Sequence, residues 1–467
     1  MSDTRTIMER YEGTEEERKF MGAFNTVLHI DKKDYTNFIG GLMVASGNEY
    51  SVSSPIDTSI IFGTFQDPEP GTADRAVDAA ARAHAEWSKE KPSERVALFE
   101  RFLDRLTRQR YRFAAIACLS TGMTIKDSLN DVDAFIKIVE NACADASGVK
   151  GRTGVWAIIS EHASPLAAPA GMAVCAMIVG NAVVALPSAR VPMPMYFVHD
   201  LLNQVGLPAG VFNLIVDPRG GMATEITNNP GLAGVAAAGG GERLEDLMFM
   251  ASDDELLFVN EIKGMNPIFV YRPEDMGEAA AMVAESAFSY AGQHHAATSM
   301  VVVTQAERKA LVDALIPLVK GLSVGDPVEP GVKCGPVISA AMADEFEKVC
   351  DGVRDYIVAG GTRITTGMGE YGHYVRPALV DGLPDGHPMN EMDSCLPILS
   401  VRVVHDVDEA LEAINDCEYG TTSGMISKDA KALGKFREEA DAEVLFVNRP
   451  STEIRAGVRA RVGNFVG

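Results

Sequence analysis

Residues 154–216 read GVWAIISEHASPLAAPAGMAVCAMIVGNAVVALPSARVPMPMYFVHDLLNQVGLPAGVFNLIV and alternate short apolar runs with longer helical stretches. The runs VWAII (155–159) and AVVAL (182–186) are continuously apolar, and VFNLIV (211–216) is apolar except for Asn213, as strands are when both faces of their sheet are covered. Apolar strands separated by helices are typical of a parallel α/β sheet. This stretch therefore predicts a doubly wound α/β domain.

The same alternation begins again further along the chain. PIFVY (267–271), MVVVT (300–304) and VLFVN (444–448) are further apolar runs with helical stretches between them. We therefore expect two successive doubly wound α/β domains. The predicted division is an N-terminal arm at 1–35, a Rossmann-like domain at 36–260, a second α/β domain at 261–442 and a C-terminal return segment at 443–467.

Composition excludes several classes of protein. The net charge of −23, from 42 basic and 65 acidic residues, repels nucleic acid and anionic membranes. No apolar run reaches the roughly 18 residues that a membrane span needs, and the charged first twenty residues lack the core of a secretory signal. We therefore expect a cytoplasmic protein that binds neither nucleic acid nor membrane. The seven scattered cysteines contain no CxxC pair and predict neither a disulfide framework nor a zinc ribbon.

Several motifs, in order along the chain, resemble the aldehyde dehydrogenase superfamily. They are GLPAGVFNLI (206–215), NEIKGMNP (260–267), SAFSYAGQHHAATS (286–299), LSVGDPVEPGVKCGPVIS (322–339), VRPALV (375–380), LPILSV (396–401) and NDCEYGTTSGMIS (415–427). Within the superfamily, EGTEEER (12–18) and VNRPST (447–452) are similar to Δ1-pyrroline-5-carboxylate (glutamate-semialdehyde) dehydrogenase. The resemblance implies the family's fold and, originally, NAD(P)-dependent oxidation of an aldehyde through a cysteine thioester.

The nucleophile position of the family is altered in this sequence. The family cysteine lies two residues after a Gly-Gln pair, and here Gly292-Gln293-His294-His295 places His295 at that position. An imidazole is a weaker nucleophile than a thiolate, and its adduct with an aldehyde does not yield the same thioester. The resemblance therefore identifies a degenerate member that has lost its thiol.

Two further positions concern acyl transfer. The resemblance assigns Glu261 to the family's general base, which activates water for thioester hydrolysis. Without a thioester to hydrolyse, Glu261 either remains as a base with no substrate or persists as a tolerated polar residue. The oxyanion asparagine of a Pro-Trp-Asn-Phe-Pro turn corresponds to Ala163, which has no side-chain donor.

The cofactor contacts that the resemblance implies are also reduced. Leu186 and Ala189 replace ribose-binding residues, and the Phe-Thr-Gly-Ser turn corresponds to Ala237-Ala238-Gly239-Gly240. Gly239 and Gly240 remain as vestigial phosphate-side residues, and Leu244 occupies a usual glycine position. The Glu-Ile-Phe-Gly-Pro segment, which holds the nicotinamide ribose and backs the cofactor, reads Asp393-Ser394-Cys395-Leu396-Pro397. We therefore expect no NAD or NADP cofactor.

The resemblance also implies a changed assembly. Family members form dimers through a β-hairpin placed before the oxyanion turn and a strand near the C-terminus. Here the helix at 127–147 leads almost directly to RTGVWAIIS (152–160), and the sequence reaches GNFVG (463–467) near the place of a Pro-Phe-Gly-Gly motif. We expect both elements to be missing, so that the protein is not the usual strand-exchanged homodimer.

Three functions remain open at this point. The favoured one is a catalytically inactive protein that acts as a structural or regulatory subunit, with another protein subunit as its partner. The basic residues Arg449, Arg455, Arg459 and Arg461 are a candidate docking strip, or they neutralise the chain's own acidic surface. The second is altered chemistry among His162, Glu261, His294, His295 and Cys395, side chains of the types that bind a metal such as zinc. These residues come from separate segments without ligand spacing, and no metal is predicted. The third is a residual NAD(P)-dependent aldehyde dehydrogenase.

Overall fold

The N-terminal half of the chain builds one layered α/β domain. The computed structural model describes residues 13–29, 33–151, 153–163, 165–240, 256–392, 394–417, 421–453 and 457–467. Within these ranges, seven strands form the first sheet in the order β10-β9-β6-β7-β8-β2-β3, and β1, β5 and β4 form a smaller sheet. The strands are β1 (Lys33–Tyr35), β2 (Asn37–Ile39), β3 (Leu42–Val44), β4 (Asn48–Ser53), β5 (Ile61–Asp67), β6 (Val155–Ser160), β7 (Ala182–Leu186), β8 (Phe212–Leu214), β9 (Leu232–Gly239) and β10 (Leu257–Ile262).

Helices cover this sheet. They are α1 (Glu15–Leu28), α2 (Thr72–Trp87), α3 (Pro92–Arg108), α4 (Arg110–Thr121), α5 (Ile125–Asp145), α6 (Ala167–Ile178), α7 (Met193–Gln204) and α8 (Gly221–Thr227). Every residue of α6 is buried, as is typical of a helix enclosed on all sides. Strands β6, β7, β8 and β9 pair in parallel, and the apolar runs at 155–159, 182–186 and 211–216 predict three of them.

The second domain repeats the architecture. Its sheet has the order β13-β16-β17-β12-β11-β18-β19 among the described residues, and it is parallel except where β13 meets β16. The strands are β11 (Ile268–Val270), β12 (Met300–Thr304), β13 (Ile357–Ala359), β14 (Thr362–Arg363), β15 (Val375–Arg376), β16 (Ala378–Asp381), β17 (Ile398–Val404), β18 (Thr422–Ile426) and β19 (Val444–Val447), with β14 and β15 in a separate pair. The helices are α9 (Met276–Phe288), α10 (Gln305–Lys320), α11 (Ala340–Gly352), α12 (Val407–Asn415) and α13 (Ala430–Glu439).

The sheets extend slightly across the predicted boundaries. Glu261 and Ile262 belong to β10, where they pair with Ala238 and Gly239, so the boundary at 260/261 falls inside a strand of the first sheet. The predicted return segment at 443–467 starts with β19, which pairs with β18 in the second sheet.

The N-terminal arm contains a helix that the sequence analysis did not single out. Thr14 caps α1, and Phe20, Phe24 and Val27 are buried at helical spacing. Helix α1 packs against α4, and Arg110 of α4 lies 2.7 Å from Glu16. The apolar spacing in the arm was the available signal.

The parallel strands of the first sheet place the residues of interest at one edge. Strand β6 ends at Ser160, β9 at Gly239 and β10 at Ile262. Ligands of open α/β sheets bind outside the carboxyl ends of the strands. Residues 161–163, Gly240 and Glu261 follow or end these strands, so the fold gathers them at such an edge. No helix among the described residues is long and apolar enough to cross a bilayer.

Candidate active site

The loop at the nucleophile position is held in a tight conformation. Tyr290 and Ala291 both have left-handed backbone angles, with φ of 50° and 51°, which is unfavourable for residues other than glycine. The Gln293 amide donates to the Tyr290 carbonyl over 3.0 Å and accepts from the Ile338 N–H over 2.8 Å. A side chain added at Gly292 would lie 2.6 Å from the Leu396 carbonyl oxygen. These contacts present residue 295 in a defined position.

His295 is fully buried at the end of this loop. Its exposed fraction is 0%, and neither ring nitrogen has a hydrogen-bond partner among the described residues. Its Nε2 lies 3.9 Å from Oε1 of Glu261. Burial, together with neighbouring His294, holds the pKa of His295 well below its ordinary value. The nucleophile position therefore carries a neutral imidazole next to the carboxyl group that the resemblance assigns as the base.

Glu261 is buried near the end of β10 and receives two backbone hydrogen bonds. The Gly457 N–H donates to Oε1 over 2.6 Å, and the Arg459 N–H donates to Oε2 over 3.2 Å. Burial raises the pKa of Glu261 to about 7, although both N–H groups lower it. A carboxyl with such a pKa suits a general base near neutral pH. Its two oxygens, however, are engaged by the C-terminal segment.

A second buried carboxyl lies near Glu261. Asp131 of α5 accepts from the Ala167 N–H through Oδ1 over 3.2 Å, and its Oδ2 has no partner within the described ranges. Burial raises the pKa of Asp131 to about 7, and the charge of Asp131 contributes to raising the pKa of Glu261. Asp131 lies outside the motifs on which the family resemblance rests. The available signal was an aspartate on the apolar face of an amphipathic helix, beside Leu129, Val132 and Phe135.

The oxyanion turn offers no side-chain amide at the expected position. Ala163 is 1% exposed, and its side chain is a methyl group. The Tyr290 hydroxyl donates to the His162 carbonyl over 3.1 Å, which fixes the turn to the nucleophile loop. Burial, with a contribution from Arg190, lowers the pKa of His162 to about 3. His162 and His295 are therefore both neutral at physiological pH.

The vestigial cofactor turn is filled by the protein's own side chains. A Cβ added at Gly239 would lie 2.8 Å from the Cβ of Glu161, and one at Gly240 would lie 3.1 Å from Sγ of Cys395 and 3.3 Å from the Cβ of Lys263. Leu186 is buried in an apolar cluster. These residues do not fit a dinucleotide, because the close approach that a Gly-rich turn gives to phosphates is occupied here. Leu244 and Asp393 lie outside the described residues.

Lys263 is a residue that the sequence analysis did not single out. It is 1% exposed, and its Nζ donates to the Ser394 carbonyl over 2.6 Å. Burial and then the charge of Lys263 lower the pKa of His294 to about 4. The available signal was a lysine two residues after Glu261, within a segment that is rich in glycine in the family.

The five residues considered for altered chemistry are only partly brought together. The rings of His294 and His295 are 4.2 Å apart, and His295 contacts Glu261. Cys395 lies beside Gly240. Nowhere in the described part of the chain do three His, Cys, Asp or Glu side chains form a group that could hold a metal ion.

The C-terminal arginines contact the protein's own acidic surface. Arg459 and Arg461 lie 3.0 Å and 3.7 Å from the carboxylate of Glu443. These contacts favour charge neutralisation over a free docking strip for this pair. Arg455 lies outside the described residues.

The comparison with protein families agrees with this arrangement. The model of the aldehyde dehydrogenase family matches residues 43–460. Because the match covers most of the chain, the protein belongs to the aldehyde dehydrogenase family.

The individual relatives share only about a quarter of their sequence with this chain. The chain is 26% identical to 1-pyrroline-5-carboxylate dehydrogenase from Geobacillus sp. (strain WCH70), over 90% of this chain and 86% of the relative. It is 25% identical to 2,5-dioxopentanoate dehydrogenase from Saccharolobus solfataricus, over 93% and 94% of the two chains. The expected likeness to the pyrroline-carboxylate branch is thus confirmed, and a relative with a different named substrate is almost equally similar.

Solved structures share the fold. A variant of 1-pyrroline-5-carboxylate dehydrogenase from Thermus thermophilus superposes with a TM-score of 0.88 at 24% identity, covering 97% of this chain and 95% of that one. Betaine aldehyde dehydrogenase from Staphylococcus aureus, in complex with NAD⁺, gives a TM-score of 0.85 at 22% identity, covering 92% and 90%. The predicted aldehyde dehydrogenase fold is therefore confirmed.

Proposed function

We propose that this protein is a catalytically silent member of the aldehyde dehydrogenase family that acts as a structural or regulatory subunit of a protein complex. The observation that carries the proposal is His295 at the nucleophile position. Its imidazole is buried, neutral and 3.9 Å from Glu261. A nitrogen nucleophile at this position does not form the thioester from which the family's acyl group is released.

Two neighbouring features support the same proposal. Ala163 supplies no amide to an oxyanion, and loss of one such donor costs about a hundredfold to a thousandfold in rate in a working site. Both oxygens of Glu261 accept backbone hydrogen bonds from Gly457 and Arg459. A water that Glu261 activates would therefore compete with two bonds that are already present.

The proposal includes the absence of a bound dinucleotide. Gly240 faces Cys395 and Lys263 rather than open space, and neither Leu186 nor Ala189 has a polar side chain to offer a ribose. A protein that keeps the fold but neither binds cofactor nor carries the thiol is better suited to binding another protein chain than to converting a substrate. Leu42 and Met43 on edge strand β3 are 71% and 74% exposed, which supports a partner that covers apolar surface.

An assay of the purified protein tests the loss of activity. Glutamate semialdehyde and short aliphatic aldehydes are supplied with NAD and then with NADP, and reduced cofactor is measured. We expect no production above the level of a Glu261→Gln control. Production that the Glu261→Gln substitution abolishes would refute the silent-subunit proposal and establish a residual dehydrogenase.

Purification from native cells tests the role as a subunit. The chain is isolated under mild conditions, and co-purifying proteins are identified by mass spectrometry. We expect a stoichiometric partner in repeated preparations. A chain that elutes alone at physiological salt contradicts the subunit role.

A second candidate function is altered chemistry at the same site. The observation that favours it is Glu261, whose pKa of about 7 suits acid–base catalysis, next to His295. Elemental analysis of protein made without a histidine tag separates this candidate from the first when the zinc content of wild type is compared with that of a His162→Ala, His295→Ala double variant. Stoichiometric metal that the double variant loses would favour the altered enzyme.

A further inference from the structure

Lys263 occupies an unusual place for a lysine. It follows the last residue of β10, and its side chain is 1% exposed. Its backbone N–H donates to the Gly239 carbonyl over 2.5 Å, so the residue is fixed against the end of β9. The ammonium group is thereby held inside the protein, where a buried charge needs hydrogen-bond acceptors around it.

The side chain of Lys263 reaches from one domain to the other. Its Nζ donates to the Ser394 carbonyl over 2.6 Å and lies 3.4 Å from the Gly264 carbonyl. Ser394 precedes β17 of the second sheet, whereas Lys263 follows β10 of the first. The ammonium therefore forms a hydrogen-bonded bridge between the two domains, 131 residues apart in sequence.

The side chains of Lys263 and Cys395 both lie beside Gly240 of the vestigial cofactor turn. A Cβ at Gly240 would meet Cys395 Sγ at 3.1 Å and Lys263 Cβ at 3.3 Å. The space that the glycine leaves open is thus filled from both sides by this chain.

We propose that the side chain of Lys263 occupies the former cofactor cleft. Its bulk excludes dinucleotides from the cleft, and its ammonium group links the two domains. This inference rests on the proposed function, since it supplies a reason why the cleft stays closed without cofactor. It assigns two separable properties to one side chain. The volume of the side chain blocks the cleft, and its charge holds the domains together.

Lysine labelling of the wild type tests the burial directly. Brief reductive methylation at neutral pH is followed by mass spectrometry, with exposed Lys428 as the internal reference. We expect Lys263 to react at least about tenfold more slowly than Lys428, because reaction requires an opening that costs about 1.4 kcal/mol or more for that ratio. Equal rates would overturn the proposal, and this measurement needs no variant to fold.

Two substitutions separate bulk from charge. Lys263→Met keeps most of the length and bulk of the side chain and removes the ammonium, so we expect a melting temperature lower by a few degrees and still no NAD binding. Lys263→Gly removes both, and we expect its NAD affinity to rise at least about tenfold over that of wild type in titration calorimetry. Lys428→Met is the matched control and should change neither quantity.

The outcomes of these tests are distinct from those of the proposed function. A wild-type dissociation constant for NAD below about 100 μM, or a folded Lys263→Gly variant without tighter binding, would overturn the role of Lys263 even if no aldehyde is oxidised. Conversely, NADH production refutes the silent subunit, whatever the affinities are. If Lys263→Gly does not fold, Lys263→Ala takes its place in the calorimetric titration, and an NAD affinity no tighter than that of wild type would then overturn the role of Lys263.

Discussion

At the scale of single residues, the first prediction concerns the lost thiol. His295→Cys is expected to show no NADH production from glutamate semialdehyde, because Ala163 still lacks the oxyanion donor and Lys263 still fills the cofactor cleft. The measurement is steady-state absorbance of NADH, with His295→Ala as the control. Turnover by the cysteine variant alone would show that the cofactor cleft is open.

A second residue-scale prediction concerns Asp131 and pH. Burial raises the pKa of Asp131 in the folded protein to about 7 from its ordinary value of 3.8, so the folded protein binds a proton that the unfolded chain releases between these values. The stability from this group is fully present below about pH 4 and is lost as pH rises through about 7. Asp131→Asn keeps the shape without the titration. It is therefore expected to be more stable than wild type by a few kcal/mol at pH 8 and nearly equal to it at pH 4.

Urea unfolding across this pH range measures the effect, with the surface substitution Glu329→Gln as a control. Burial also raises the pKa of Glu261. The Asp131→Asn variant therefore keeps part of the dependence of stability on pH. A variant whose stability parallels that of wild type at every pH would contradict the assigned burial of Asp131.

At the scale of elements, the C-terminal segment 457–467 is expected to be a structural part of the first domain. The Phe465 ring is fully buried 4.8 Å from Trp156, and the Asn181 amide donates to the Phe465 carbonyl over 2.8 Å. Phe465→Ala is expected to cost about 3–5 kcal/mol. Arg461→Ala, in the same segment but with a side chain that is 68% exposed, should cost less than about 1 kcal/mol.

Chemical denaturation gives both free energies, and limited proteolysis gives a second readout. Release of residues 457–467 should also expose Glu261, because Gly457 and Arg459 supply its two hydrogen bonds. Equal stability of the two variants would contradict the docking of this segment.

At the scale of the whole molecule, the prediction is the state of assembly. Helix α5 ends at Asp145, and β6 begins at Val155 after a short turn at 146–148. Gly151 of that connection lies against Val466, since an added Cβ would be 2.7 Å from the Cβ of Val466. We propose that the isolated protein is a monomer, or a dimer through a new interface. Light scattering and a crystal structure test this; a dimer whose sheets continue across the two-fold axis near residues 150 and 465 would contradict it.

Local sequence determined much of this protein. The apolar runs of β6, β7 and β12 lie where the pattern predicts them, because strand periodicity is a property of neighbouring residues. His295 and Ala163 were identified through the resemblance to the family's motifs, since a motif fixes a position by its flanking residues. His295 lies 3.9 Å from Glu261, and the turn that carries Ala163 is joined to the nucleophile loop by the Tyr290 hydroxyl.

The tertiary structure alone decided which residues meet around Glu261 and Lys263. Gly457 reaches Glu261 across 196 positions of sequence, and Lys263 reaches Ser394 across 131. Asp131 influences Glu261 from a helix of the first domain. Neither spacing nor composition records such contacts, because they depend on the path of the backbone through two packed domains. The cost of burying a charged group and the hydrogen bonds that offset this cost therefore depend on segments that are distant in sequence.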